Sequence, residues 1–124
     1  MPNFSWEPLD FLEALEVVPV VGEYGIYYQY LVSRAPLSLS LTIWPIDCDV
    51  EVLLRNEGVA EPFVRLNLLD CPGARVIRDD QRTYIEFSAA RLFGGRFDLA
   101  HTPPYGFQLQ IQPFIQLSTF SYHV

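Results

Sequence analysis

Between residues 37 and 44 apolar and polar side chains alternate without a break. Leu37, Leu39, Leu41 and Ile43 face one way, Ser38, Ser40, Thr42 and Trp44 the other, which predicts a half-buried strand. Val50, Val52 and Leu54 repeat the pattern against Asp49, Glu51 and Arg55, and Val64, Leu66 and Leu68 repeat it against Arg65 and Asn67. Upstream, YGIYYQYLV predicts a strand with Tyr24, Ile26, Tyr28, Tyr30 and Val32 on one face and Tyr27 and Gln29 on the other, followed by a turn from Ser33 to Pro36. Residues 75 to 87 read as a hairpin with Asp79 and Asp80 at or near its turn and Ile85 and Phe87 pointing inward. Residues 88 to 95 predict one helical turn stopped by Gly94 and Gly95, and residues 97 to 106, with Pro103 and Pro104, predict a loop.

The terminal run FQLQIQPFIQLSTFSYHV keeps its parity across Pro113. Phe107, Leu109, Ile111, Ile115 and Leu117 form one face; Gln108, Gln110, Gln112, Phe114, Gln116, Ser118, Phe120 and Tyr122 form the other. Proline cannot donate to a ladder, so this is an edge strand or two strands meeting at a bend. Only the first segment has a helical period. Over residues 8 to 16, Leu9, Leu12 and Leu15 recur at helical spacing, Pro8 suits a first turn, Ser5 or Glu7 can cap it, and Asp10, Glu13 and Glu16 share the solvent side. The expected fold is mainly β: an antiparallel β-sandwich or open barrel of seven to eight strands with a short N-terminal α-helix, in one globular domain spanning 1–124.

Charge narrows the functions such a fold can serve. The net charge is −7, and it is uneven: residues 1–62 hold ten acids against Arg34 and Arg55, residues 63–124 five acids against six arginines. A phosphate backbone repels such a surface, and the basic cluster Arg75, Arg78 and Arg82 is interleaved with Asp79 and Asp80, so nucleic acid is not an expected ligand. No apolar run approaches membrane-spanning length. MPNFSWEPLDFLEALE carries four acids and no cation, unlike a secretory leader, so a cytoplasmic location is expected, with Cys48 and Cys71 as thiols.

Two Asp-Cys pairs stand at strand ends. Asp47-Cys48-Asp49 follows Pro45, and Asp70-Cys71 precedes Pro72-Gly73, so both read first as turn chemistry, in which aspartate accepts bonds from nearby backbone N–H groups. Two strand passages separate these turns, which places them at one pole. Asp47, Asp49 and Asp70 are therefore the candidates for a calcium site. Cys48, Cys71, His101 and His123 lack the close pairing of structural zinc ligands, and no cofactor is expected. The chain has no G-x-S-x-G elbow and no glycine-rich phosphate loop, and an acidic neighbour would deactivate Cys71, so no enzyme activity is expected.

In general build the chain is similar to the small, acidic, single-domain proteins with which bacteria neutralise toxins, a likeness of composition that covers no motif. The expected function is a non-enzymatic, immunity-type inhibitor that presents Glu13, Glu16, Glu23, Asp47, Asp49 and Glu51 to a basic protein partner. A rival expectation is a sandwich binding carbohydrate or another small ligand through Trp44, Gln108, Gln110 and Phe114, whose rows are polar, uncharged and punctuated by aromatics. A third is self-association through the C-terminal strand, whose glutamine-rich edge can pair with its own copy.

Overall fold

A computed structural model describes residues 3–88 and 105–121. The expected β architecture is present, as two antiparallel sheets. The first has the order β1 (Val20–Val21), β2 (Tyr28–Arg34), β3 (Leu37–Trp44), β4 (Asp49–Asn56), β5 (Val64–Leu68). The second has the order β6 (Ala74–Arg78), β7 (Thr83–Ser88), β8 (Tyr105–Gln112), β9 (Gln116–Ser121). Within each sheet every strand pairs antiparallel with its neighbour in sequence. The helical turn expected over 88–95 and the loop over 97–106 lie almost wholly outside the described residues.

The period-2 pattern explains the core. Leu41 sits between Tyr30 and Val52, and Ile43 between Tyr28 and Val50. In the other sheet Ile85 sits between Val76 and Leu109. Leu41, Ile43, Ile85 and Leu109 are all fully buried in one apolar cluster drawn from both sheets. The terminal segment is two strands, with Pro113 and Phe114 between them, and the Gln110 side-chain amide donates to the Phe114 carbonyl at 3.0 Å across that turn.

Two expectations need correction. The strand predicted from Tyr24 begins only at Tyr28, because Glu23–Gly25 forms a 3₁₀ turn in which Tyr24 (φ 58°) and Gly25 (φ 69°) are left-handed. Tyr24 and Ile26 are therefore exposed instead of inward. The helix α1 (Pro8–Leu15) forms where predicted, with Glu7 at its N-cap but no side-chain cap bond. It buries Phe11, Ala14 and Leu15, while Leu9 is exposed. An aromatic cluster decides that rotation: the Trp6 ring stands edge-on to Phe11 at 5.0 Å, to Tyr28 at 5.1 Å and to Phe4 at 5.9 Å. Burying an aromatic ring outweighs burying a leucine at the helix start, so the stripe rotates onto Phe11.

The outward face of the four-stranded sheet carries a buried ion pair. Glu86 is 2% exposed, its Oε1 accepts from Arg75 Nε at 2.7 Å on the neighbouring strand, and Gln108 Nε2 donates to its Oε2 at 3.5 Å. Replacing Arg75 with Met strands a carboxylate out of water, and the loss expected in urea unfolding is about 3–5 kcal/mol.

Burial of Tyr30, helped by the neighbouring Tyr28, pushes its phenol up to about 12. The neutral form is the one the fold favours, so this contribution is complete below the ordinary phenol value of about 10 and is lost as pH rises from there towards 12. Absorbance titration of the wild type should show a late-titrating phenol and falling stability across that window; Tyr30→Phe should remove this late phenol and its share of the fall.

Candidate functional site

The two Asp-Cys turns meet, as strand counting predicts. The Cys71 N–H donates to the Cys48 carbonyl at 2.7 Å, and the Asp70 N–H donates to Asp49 Oδ1 at 3.3 Å. Cys48 and Asp70 each adopt a left-handed conformation, at φ 59° and 56°, which tightens the reversal. Both cysteines are buried thiols: Cys48 Sγ points at the Pro45 carbonyl (3.8 Å) and Cys71 Sγ at the Ser88 carbonyl (3.0 Å). The N-terminal segment crosses the same pole, the Phe4 N–H donating to the Pro45 carbonyl and the Ser5 N–H to the Pro72 carbonyl. This is turn chemistry. Among the described residues no group of three or more His, Cys, Asp or Glu side chains is placed to hold a metal ion, so the calcium reading of Asp47, Asp49 and Asp70 is not supported.

Above this pole lies the outward face of the five-stranded sheet. Its rows follow from the register: Val20, Gln29, Thr42, Glu51 and Asn67 form one, and Leu31, Ser40, Leu53 and Arg65 form the next. Ser40 and Thr42 face outward in these rows yet are buried. The strand β3 sets Ser38 and Ser40 in a shallow concavity with Leu31 and Arg55. At its end Trp44, Asp47, Asp49, Asn67 and Leu69 line a shallow cleft of about 220 Å³.

The structure thus brings Trp44 together with Asp47 and Asp49, and Glu51 follows Asp49 on the same face of β4. The other three expected acids lie elsewhere. Glu13 is on the exposed side of α1, 3.8 Å from Arg78; Glu16 ends that helix; Glu23 is in the 3₁₀ turn. The surface expected for a sugar is not one surface. Trp44 faces outward from the five-stranded sheet, Gln108 and Gln110 face outward from the four-stranded one, and Gln110 is committed to its turn. Phe114 is exposed beside a larger concavity, about 420 Å³, between the β2–β3 and β8–β9 turns. The strand β9 does occupy a sheet edge.

Period-2 reading missed a second surface. Val18, Val20, Val21, Tyr24 and Ile26 are all exposed along the β1 edge. Gly22 and Gly25, which break a strand, were the available sign that Tyr24 and Ile26 do not point inward.

No described helix is long and apolar enough to cross a membrane. No family model matches the sequence, and no curated protein matches it. The fold, however, is similar to that of a chain in the contact-dependent growth inhibition toxin - immunity protein complex from Klebsiella pneumoniae 342, with a TM-score of 0.75, 14% identity, and coverage of 98% of this chain and 99% of that one. That likeness, nearly complete in both directions, establishes a shared fold.

Proposed function

We propose that this chain is a non-enzymatic, immunity-type protein that neutralises a bacterial toxin by binding it in the cytoplasm. The observation that carries this reading is the end-to-end fold likeness to a chain of a toxin–immunity complex. Charge supports the neutralising role: a chain of net charge −7 with Asp47 and Asp49 beside Trp44 and Glu51 next along the same face of β4 offers a complementary surface to a basic protein. An inhibitor needs such a surface and no reacting groups. Fields of this sign accelerate encounter with a cationic partner and disfavour acidic ones.

The test is neutralisation. The chain is used as bait in its native cells, and the captured basic protein is then produced in a naive bacterium with and without the chain. Growth arrest that the chain relieves is the expected outcome; a captured protein that is harmless, or whose toxicity the chain leaves unchanged, refutes the reading. Charge reversal of Asp47 and Glu51 to Lys, which leaves Asp49 to the turn it holds, removes two surface pairs at about 0.5 kcal/mol each, an expected loss of about fivefold in affinity, mostly in the association rate and smaller at high salt. Binding insensitive to both changes rejects the electrostatic part.

A further inference from the structure

The apolar edge at β1 has no role in the free protein. Tyr24 is 97% exposed and Val18 83% exposed, with Val20, Val21 and Ile26 each about half exposed beside them. Solvated singly, such residues need no explanation; gathered along one sheet edge, they do. Tyr24 also holds a left-handed backbone, φ 58° and ψ 20°, that a bulky side chain adopts only at a cost, while its ring gains nothing from burial.

The turn that presents it is closed by backbone hydrogen bonds. The Gly22 N–H donates to the Tyr27 carbonyl at 2.9 Å, the Gly25 N–H to the Gly22 carbonyl at 2.9 Å, and the Ile26 N–H to the Glu23 carbonyl at 3.2 Å. The Tyr27 ring packs so closely on Gly22 that a β-carbon there would come within 2.4 Å of it. The backbone that carries this aromatic is already ordered by the turn, so binding has only the two side-chain torsions of Tyr24 left to fix. Behind it, β1 pairs with β2 alone among the described residues, which leaves its other edge for a further strand.

We propose that this edge is a docking site for an extended, apolar segment of the partner protein, flanked by Lys or Arg, which adds to the open side of β1 and packs against Tyr24. Charge selects that occupant. From residue 16 to residue 33 the charged side chains are Glu16 and Glu23, with no cation before Arg34, so an apolar strand with cationic flanks meets two acids and a second copy of this chain, at −7, meets its own repulsion. The proposal rests on the reading above that the chain works by binding a protein, and deepens it by naming a second contact surface.

A photo-crosslinking amino acid, p-benzoylphenylalanine, placed one position at a time at Val20, Tyr24, Asn67 and Gln116 of the full chain in its native cells, tests it. Val20 and Tyr24 probe the edge, Asn67 the acidic face, and Gln116 the other sheet. The expected result is an adduct from positions 20 and 24 with a basic protein, mapped by mass spectrometry to an extended apolar segment beside Lys or Arg. Tyr24→Ala should then weaken binding of that purified protein about 30-fold, the size of an interface anchor, with an unchanged melting temperature, since Tyr24 is outside the core. Adducts from Asn67 but not from the edge overturn the inference and leave the proposed function standing. An edge adduct with a protein that does not arrest growth supports the inference and rejects toxin neutralisation. Adducts with the chain's own copy, or none at all, overturn the inference.

Discussion

One crossing holds this fold together: the passage from the first sheet to the second between Leu68 and Ala74. A chain that leaves one layer of a sandwich for the other must bury its backbone at the pole, and every N–H and C=O there needs a partner. Asp70 and Cys71 donate to Asp49 and to the Cys48 carbonyl, and Ser5 bridges both sides of the turn, accepting from Ala74 and donating to Pro72. Sheet stacking, the position of the N-terminal segment and the placement of the cleft beside Trp44 all follow from that knot. It explains why the two Asp-Cys pairs look like a site in the sequence: they carry the residue types of a metal centre because a buried turn requires the same oxygen acceptors.

The two outward faces then acquire different chemistry. On the four-stranded sheet Glu86 is almost completely buried and is answered by Arg75 and Gln108, so its polar row is internal structure. On the five-stranded sheet short hydroxyls line β3 and the acids and Trp44 stand at the margin. A sugar platform would need large side chains standing on one flat face. Here Trp44 and the glutamines Gln108 and Gln110 are divided between opposite sides of the molecule.

Strand positions were legible in the sequence wherever one face is buried, because parity then has a physical cause. Leu37 to Trp44, Asp49 to Arg55 and the hairpin around Asp79 lie as the alternation implies, and Asp79 turns that hairpin by accepting from the Gln81 and Arg82 N–H groups at 2.9 Å. Parity fails at the β1 edge, since a strand that extends past the core exposes both faces and leaves no alternation to read. It also fails for Ser40 and Thr42, which face outward by parity and are nevertheless buried. The convergence of Asp47 and Asp49 could be inferred by counting strands; the separation of Glu13 from them could not, because it depends on where α1 docks.

Acids and exposed apolar residues contribute differently to recognition. An exposed charge pair yields about 0–1 kcal/mol and is screened by salt, so in the proposed complex the role of the Asp47, Asp49 and Glu51 face is to set how fast and with which sign of partner an encounter occurs. An aromatic anchor taken from water is worth about 2 kcal/mol or more, so the Tyr24 edge governs how long the encounter lasts. The register ties the two together. Val20, beside Tyr24, lies in the same row as Glu51, with Gln29 and Thr42 between them. A partner steered onto the acids is therefore already on the face whose edge can hold it, and a sheet with only one of these surfaces would either attract without retaining or retain without selecting.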